Sequence, residues 1–386
     1  MRYHVSYTIP VVTFSCLAVF CTCKQRYEPP VLTINPNYLV VDGFLNNGPD
    51  STFIRLSRAR KLDSNLVNSG EKNAELYIED VQGNVLYSFK ELNDDGLYTV
   101  PGMVLDSNTR YRLRIKTVNG KQYLSDEMAV QQSPKIDSIN WKRDETGVTI
   151  YANTHDASNR TKYYRWDYTE TWQYHSAYVA EYTYVDFGIL EETPPNYYEC
   201  WKTQVSKTLF LASSDRLAED IIYENPLRFI PINSLELTIR YSIIVQQYAL
   251  TKEAYQYLEK LRKNTEQTGS IFDAQPSELT GNIHAVNGST EPVLGFMTVC
   301  TKDSKRIFIT QQEVDPWHYT YKCGETKYSK NEKPWVIASI FGSNGDNLPI
   351  ADAPSTIPFT DSIWGAPKAC VNCTLLGGVT KRPDFW

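Results

Sequence analysis

The side chains able to do chemistry are few and scattered. The histidines are His4, His155, His175, His284 and His318, and no H-E-x-x-H pair, G-x-S-x-G elbow or phosphate loop accompanies them. Cys200 as a nucleophile would need a histidine partner in an electropositive site, and the sequence marks neither. Asp167, Glu170, Glu181 and Asp186 are acids from which a glycoside-hydrolase pair could be drawn. Such pairs meet only in three dimensions, and spacing singles out none of these. Cys370-Val371-Asn372-Cys373 has a zinc-like spacing, but no second C-x-x-C follows, and His318 and Cys323 are not at finger spacing. The reading is therefore no catalytic residue, no metal and no cofactor, with a hydrolase ranked last among the alternatives.

Binding chemistry is better supplied. Tyr164, Trp166, Tyr168, Trp172 and Tyr174 share one parity, with Glu170 the one charge among them. Such a stripe is either half of a sheet core or a platform whose rings stack on sugar faces. From 175 to 200 the aromatic bias continues while the alternation fails, at Gly188 and Pro194-Pro195. An irregular segment on a rigid scaffold is where contact surfaces usually sit. The candidate binding surface is Trp166, Tyr168, Trp172, Tyr174, Tyr182 and Tyr184, and its ligand a glycan or a peptide.

Three of the eight cysteines lie in or beside the N-terminal apolar run. An oxidising compartment would pair most of the rest. The candidates are Cys200, Cys323, Cys370 and Cys373: Cys323 pairs with Cys370 or Cys373, and Cys200 takes the other. Cys300, in a strand-like run with Val293, Leu294, Phe296 and Val299, reads as a buried thiol.

The elements that must position these residues follow from patterning. The chain opens with Arg2, an apolar run from Val5 to Phe20, and then Cys21-Thr22-Cys23 before an abruptly polar stretch. That is a secretory signal (1–22) rather than a membrane span. Its end resembles a bacterial lipobox, with Cys23 lipidated. Cys21 is the rival, but it follows bulky Phe20, and Cys16 would leave Leu17 to Phe20 exposed. Acyl chains contribute about 0.8 kcal/mol per buried methylene, so two or more anchor stably. Residues 23–30 form a lipidated tether; from Lys24 to Pro30 it spans at most about 23–25 Å.

The formal charge of −6 and the absence of a basic block argue against nucleic acid as a partner. Aromatics make up 13% of the chain, which suits strands. Residues 31–132 read as short strands split by turns such as Gln82-Gly83, Asn93-Asp94-Asp95-Gly96 and Asn119-Gly120, the pattern of an immunoglobulin-like β-sandwich. Ser133-Pro134-Lys135 marks a boundary. Residues 133–386 read as a larger β-rich domain with a disulfide-stapled C-terminus. In it, alternation from Leu235 to Val245 predicts a strand, Thr251 caps an amphipathic helix (about 251–266), and Gly269 stops it. The fold class is mainly β. Phe385-Trp386 is expected to dock in the core.

Several segments carry a resemblance: Y-S-I-I-V-Q-Q-Y-A-L-T-K-E-A-Y at 241–255, G-S-I-F-D-A-Q-P-S-E-L-T-G-N-I at 269–283, E-P-V-L-G-F at 291–296, and the terminal G-G-V-T-K-R-P-D-F-W. They resemble a Bacteroidota outer-membrane lipoprotein family, domain of unknown function 4249. Members are typically encoded beside TonB-dependent receptors. The resemblance implies a lipid-anchored outer-membrane accessory subunit that helps such a receptor capture or admit its substrate. A free-standing glycan-binding or adhesion lipoprotein is the alternative. Lys24 and Arg26 stand where surface-displayed lipoproteins of this phylum often carry acids, which leaves both the cell surface and the periplasmic face open.

Overall fold

Period-two alternation becomes layered sheets wherever each strand hides one face. The computed structural model describes residues 37–59, 70–185, 190–191, 196–266, 279–286, 291–353 and 361–386. The signal, the tether with Cys23, Asp186 and Gly269 lie outside the described residues. The described chain is mainly β, in several sheets.

The strands expected before residue 132 form as Leu39–Gly43, Thr52–Arg58, Glu75–Asp80, Val85–Ser88, Leu97–Val100, Arg110–Lys116, Gln122–Ser125 and Met128–Gln131. The turn residues adopt the positive φ anticipated for them, at Gly83, Asn93, Asp94, Gly96 and Gly120. Two sheets enclose one apolar cluster, Leu39, Ile54 and Leu56 from one face meeting Ile78, Leu113 and Ile115 from the other.

Those strands do not complete the sheets alone. Val293–Leu294 adds in parallel to Leu39–Gly43. Val299–Cys300 inserts between Leu45–Asn46 and Met128–Gln131. Ile283–Ala285 pairs with Gln122–Ser125. The returning segment is clasped by Asn282, whose amide donates to the Met297 carbonyl and accepts from the Met297 N–H, both at 2.8 Å.

The second layer pair begins at residue 136. A sheet ordered Glu199–Val205, Tyr163–His175, Arg240–Leu250, Lys302–Thr310 faces a three-stranded sheet of Ile136–Arg143, Gly147–His155 and Ile221–Pro231. The strand expected from Leu235 begins only at Arg240. Leu235–Leu237 is instead a 3-10 turn, closed by the Thr238 hydroxyl donating to the Leu235 carbonyl at 2.9 Å. The helix runs Lys252–Glu266, and the Ala254 N–H donates to the Thr251 hydroxyl at 3.2 Å, the expected cap. Its stripe packs Ala254 and Leu258 against Leu211 and Leu250, and Tyr257 against Phe296.

The stretch 133–136 is tied down at every residue that bonds. The Ser133 N–H donates to Thr301 Oγ1 at 2.8 Å, Gln247 donates to the Pro134 carbonyl at 2.9 Å, and the Ile136 N–H donates to Asp303 at 2.7 Å.

A third, smaller sheet of Thr326–Ser329, Asn347–Asp352 and Ser362–Pro367 carries the short helix Pro334–Phe341. Disulfides join Cys200 to Cys373 and Cys323 to Cys370, one of the two pairings expected. Cys300 is a buried free thiol. Phe385 and Trp386 dock on the outward side of the large sheet, against Lys302–Thr310 and Arg240–Leu250, rather than in the core. Arg306 lies 3.7 Å from the Phe385 ring and Arg240 5.3 Å from that of Trp386, which also meets the Phe308 ring edge-on at 5.9 Å, so cations and an aromatic ring receive them.

Gly295 tests the return of the chain. Its φ is +148°, and a Cβ there would lie 2.3 Å from the Val41 carbonyl oxygen, a backbone atom that cannot swing aside. Gly295→Ala is expected to cost about 2–3 kcal/mol, read as a lowered denaturant midpoint. An unchanged midpoint would contradict the described crossing.

Candidate binding clefts

The aromatic strand Tyr163–His175 is hydrogen-bonded along both edges, to Arg240–Leu250 on one and to Glu199–Val205 and Phe210–Ser213 on the other. Its even-numbered face is covered by the three-stranded sheet. Trp166 and Tyr174 are 0% exposed, Trp172 4% and Tyr168 8%. These four candidate binding residues are therefore core, a correction with a plain cause: alternation names the apolar face, not what lies on it. Their polar atoms are partly used up inside. The Trp166 indole donates to Gln247 at 2.8 Å and the Tyr174 hydroxyl to the Cys373 carbonyl at 2.7 Å. Tyr182 and Tyr184 are half-buried against the third sheet's cluster. The Tyr182 hydroxyl donates to Asp352 at 2.9 Å while Lys330 lies 4.5 Å from its ring.

The acids within this strand serve as counter-ions. Glu170 is 2% exposed and accepts from Arg228 Nε at 2.8 Å and from the Tyr241 hydroxyl at 2.7 Å. Burial, and then the Glu170 carboxylate, push the Tyr241 phenol well above its ordinary range. Asp167 is paired with Arg165 at 2.9 Å. Neither acid has the other as a partner across an open space, so the structure does not bring these two together as a hydrolytic pair.

Two clefts remain. One, about 530 Å³, lies between the Lys252–Glu266 helix and the outward side of Leu39–Gly43. Leu258 and Leu261 face Val40 and Leu294 there, and its arginines are already matched, Arg165 by Asp167 and Arg55 by Asp95.

The other cleft, about 350 Å³, is built where the aromatic strand ends. His175, Ser176, Ala177 and Tyr198 come from the irregular segment singled out by sequence; Trp317, His318, Tyr319 and Tyr321 come from a stretch that was not. In that stretch rings recur at every second residue, the signal that could have marked it. The Tyr321 hydroxyl donates to the His175 carbonyl at 2.8 Å, and the Tyr198 ring stacks on the His175 imidazole at 4.3 Å. Tyr319 stands edge-on to Tyr321 at 4.8 Å. The Trp317 indole, beneath them, donates to the Ser234 carbonyl at 2.8 Å. Burial holds the His175 imidazole below its ordinary 6.5, against the opposing pull of the Glu199 carboxylate 3.9 Å away. Among the described residues, no group of acids, histidines and cysteines could hold a metal ion.

The model of a domain of unknown function, DUF4249, matches residues 24–306, and the chain belongs to that family. The match ends before the third sheet. No curated protein matches the chain. Among solved structures, trypsin-activated alpha-2-macroglobulin from Escherichia coli is 14% identical over 57% of this chain and 15% of that one, with a TM-score of 0.19. Escherichia coli alpha-2-macroglobulin activated by porcine elastase is 10% identical over 85% and 26%, TM-score 0.19. A structure of manganese lipoxygenase of Gaeumannomyces graminis with partial zonadhesin of Komagataella pastoris is 9% identical over 57% and 91%, TM-score 0.17. The chain spans about a quarter or less of the macroglobulin chains it matches. Likenesses at these TM-scores say nothing of its activity.

Two measurements check the site. Glu170→Ala removes the closer counter-ion of Arg228, leaving it Glu236 at 3.4 Å, and takes the acceptor from the buried Tyr241 hydroxyl; it should cost about 3 kcal/mol, while Glu170→Gln, which keeps an acceptor, should cost less. Equal stability of all three proteins would refute the counter-ion role. By NMR titration, His155, hydrogen-bonded to Asp137, should change charge above 6.5 and His175 below it; the opposite order would show the His175 ring to be open to water.

Proposed function

We propose that this chain is a non-catalytic, lipid-anchored outer-membrane protein, facing the cell surface, that acts as an accessory subunit of a TonB-dependent receptor in substrate capture. The observation that carries the reading is the pair of disulfides, Cys200–Cys373 and Cys323–Cys370, which bridges four of the five cysteines beyond the N-terminal run. Such pairing persists in oxidising compartments and is rare in the cytosol. It agrees with an export-type apolar run that ends at Cys23.

A short tether confines the folded part to the membrane plane. That raises its effective concentration at a receptor without any new contact. The cleft at Tyr198 and Tyr319 is the surface offered to the captured substrate.

Membranes solubilised in mild detergent provide the test. The native protein is expected to bring down a β-barrel receptor in comparable amount, and Cys23→Ala to leave the membrane fraction. Recovery of the protein alone, under conditions that keep other receptor complexes intact, would favour a free-standing adhesion lipoprotein instead.

A further inference from the structure

Resting on the capture reading, we propose that the cleft between His175–Ala177 with Tyr198 and Trp317–Tyr321 is a site for an uncharged saccharide. Three features of the cleft point to that class.

The first is charge. The lining has no carboxylate, ammonium or guanidinium group; the nearest carboxylate to His175, Glu199, lies outside the lining at 3.9 Å, and burial disfavours a charge on the His175 imidazole. A charged ligand would leave water for a site with nothing to pair it, which is costly.

The second is the mixture of surfaces. Tyrosine and tryptophan present an apolar ring body and a polar edge. Tyr319 is 37% exposed and Tyr198 half-buried, while His318 and Gln311 add polar edges beside them. Sugar rings have the matching form, with C–H faces for the rings and hydroxyls for the edges. The volume of about 350 Å³ is at the scale of small-ligand sites.

The third is fixed geometry. Tyr321 is held by its bond to the His175 carbonyl, Tyr198 by stacking on His175, and the backbone at His318 by its N–H donating to Asn233 at 2.8 Å. The Trp317 indole below is buried and bonded. Rings that are ordered before the ligand arrives lose less entropy on binding.

The experiment uses the full chain in lipid nanodiscs. It is titrated calorimetrically with maltotetraose, cellotetraose, mannotetraose and chitotetraose, and with tetragalacturonate and choline as charged probes. At least one neutral sugar is expected to bind saturably, with both charged probes at least tenfold weaker. Tyr319→Ala should weaken that sugar about tenfold, and Tyr319→Trp should restore it. His318→Ala serves as the second variant. Both positions are exposed, and the thermal midpoint reports any loss of fold. Binding of no neutral sugar, preference for a charged probe, or affinity untouched by both alanine variants would overturn the saccharide assignment. Receptor recovery from membranes reads the capture reading separately, since Tyr319→Ala should leave it unchanged.

Discussion

The chain's return through residues 282–286 and 291–303 is the constraint on which the rest of the structure depends. Three short strands from that stretch enter both sheets of the first sandwich. Directly afterwards, Lys302–Thr310 becomes the fourth strand of the large sheet. One continuous run thus supplies hydrogen bonds to both sandwiches. Gln247 fixes the join from the other side. Fully buried, it accepts from the Trp166 indole and donates to the Pro134 carbonyl and the Thr154 hydroxyl. A buried amide with its partners supplied specifies one arrangement, because any shift leaves polar groups without water or partner.

That join explains where a binding surface can and cannot lie. With the two sheets pressed together, the large aromatic face of Tyr163–His175 is filled by Ile139, Val148, Ile150 and their neighbours. Beyond the end of that strand, at His175, rings line a cleft at the surface, and there the stretch around Trp317 meets them. The two disulfides act on this same end. Cys200 lies opposite Tyr174 in the register, and Cys373 closes over it. The cleft is thus loop-built but anchored to a strand terminus, which suits a surface that must hold its shape before a ligand arrives.

Much of this was legible in the residues. The strands before 132 and their turns follow from alternation and from glycine and asparagine at positive φ, since both signals are local. Thr251 announced its helix for the same reason. What alternation could not convey is which strands meet. Val293-Leu294 reads as a short apolar run anywhere, and only the Gly295 approach to Val41 makes it a sandwich strand. The four buried rings illustrate the same gap, because a core face and a sugar platform have one pattern. At Leu235–Leu237 alternation misled outright: Thr238 could bond back to Leu235 and turn the chain before the strand began. The 317–321 half of the cleft was overlooked because its rings alternate over too short a run to stand out.

The first sandwich depends on the segment that returns to it. The most direct test of that dependence compares two chains by circular dichroism and amide exchange: residues 37–132 alone, and the same residues joined by a flexible linker to 279–301. The first is expected to be unfolded and the second to acquire β structure with protected amides at Leu39–Gly43 and Met128–Gln131. A cooperatively folded, protected 37–132 fragment would contradict that dependence.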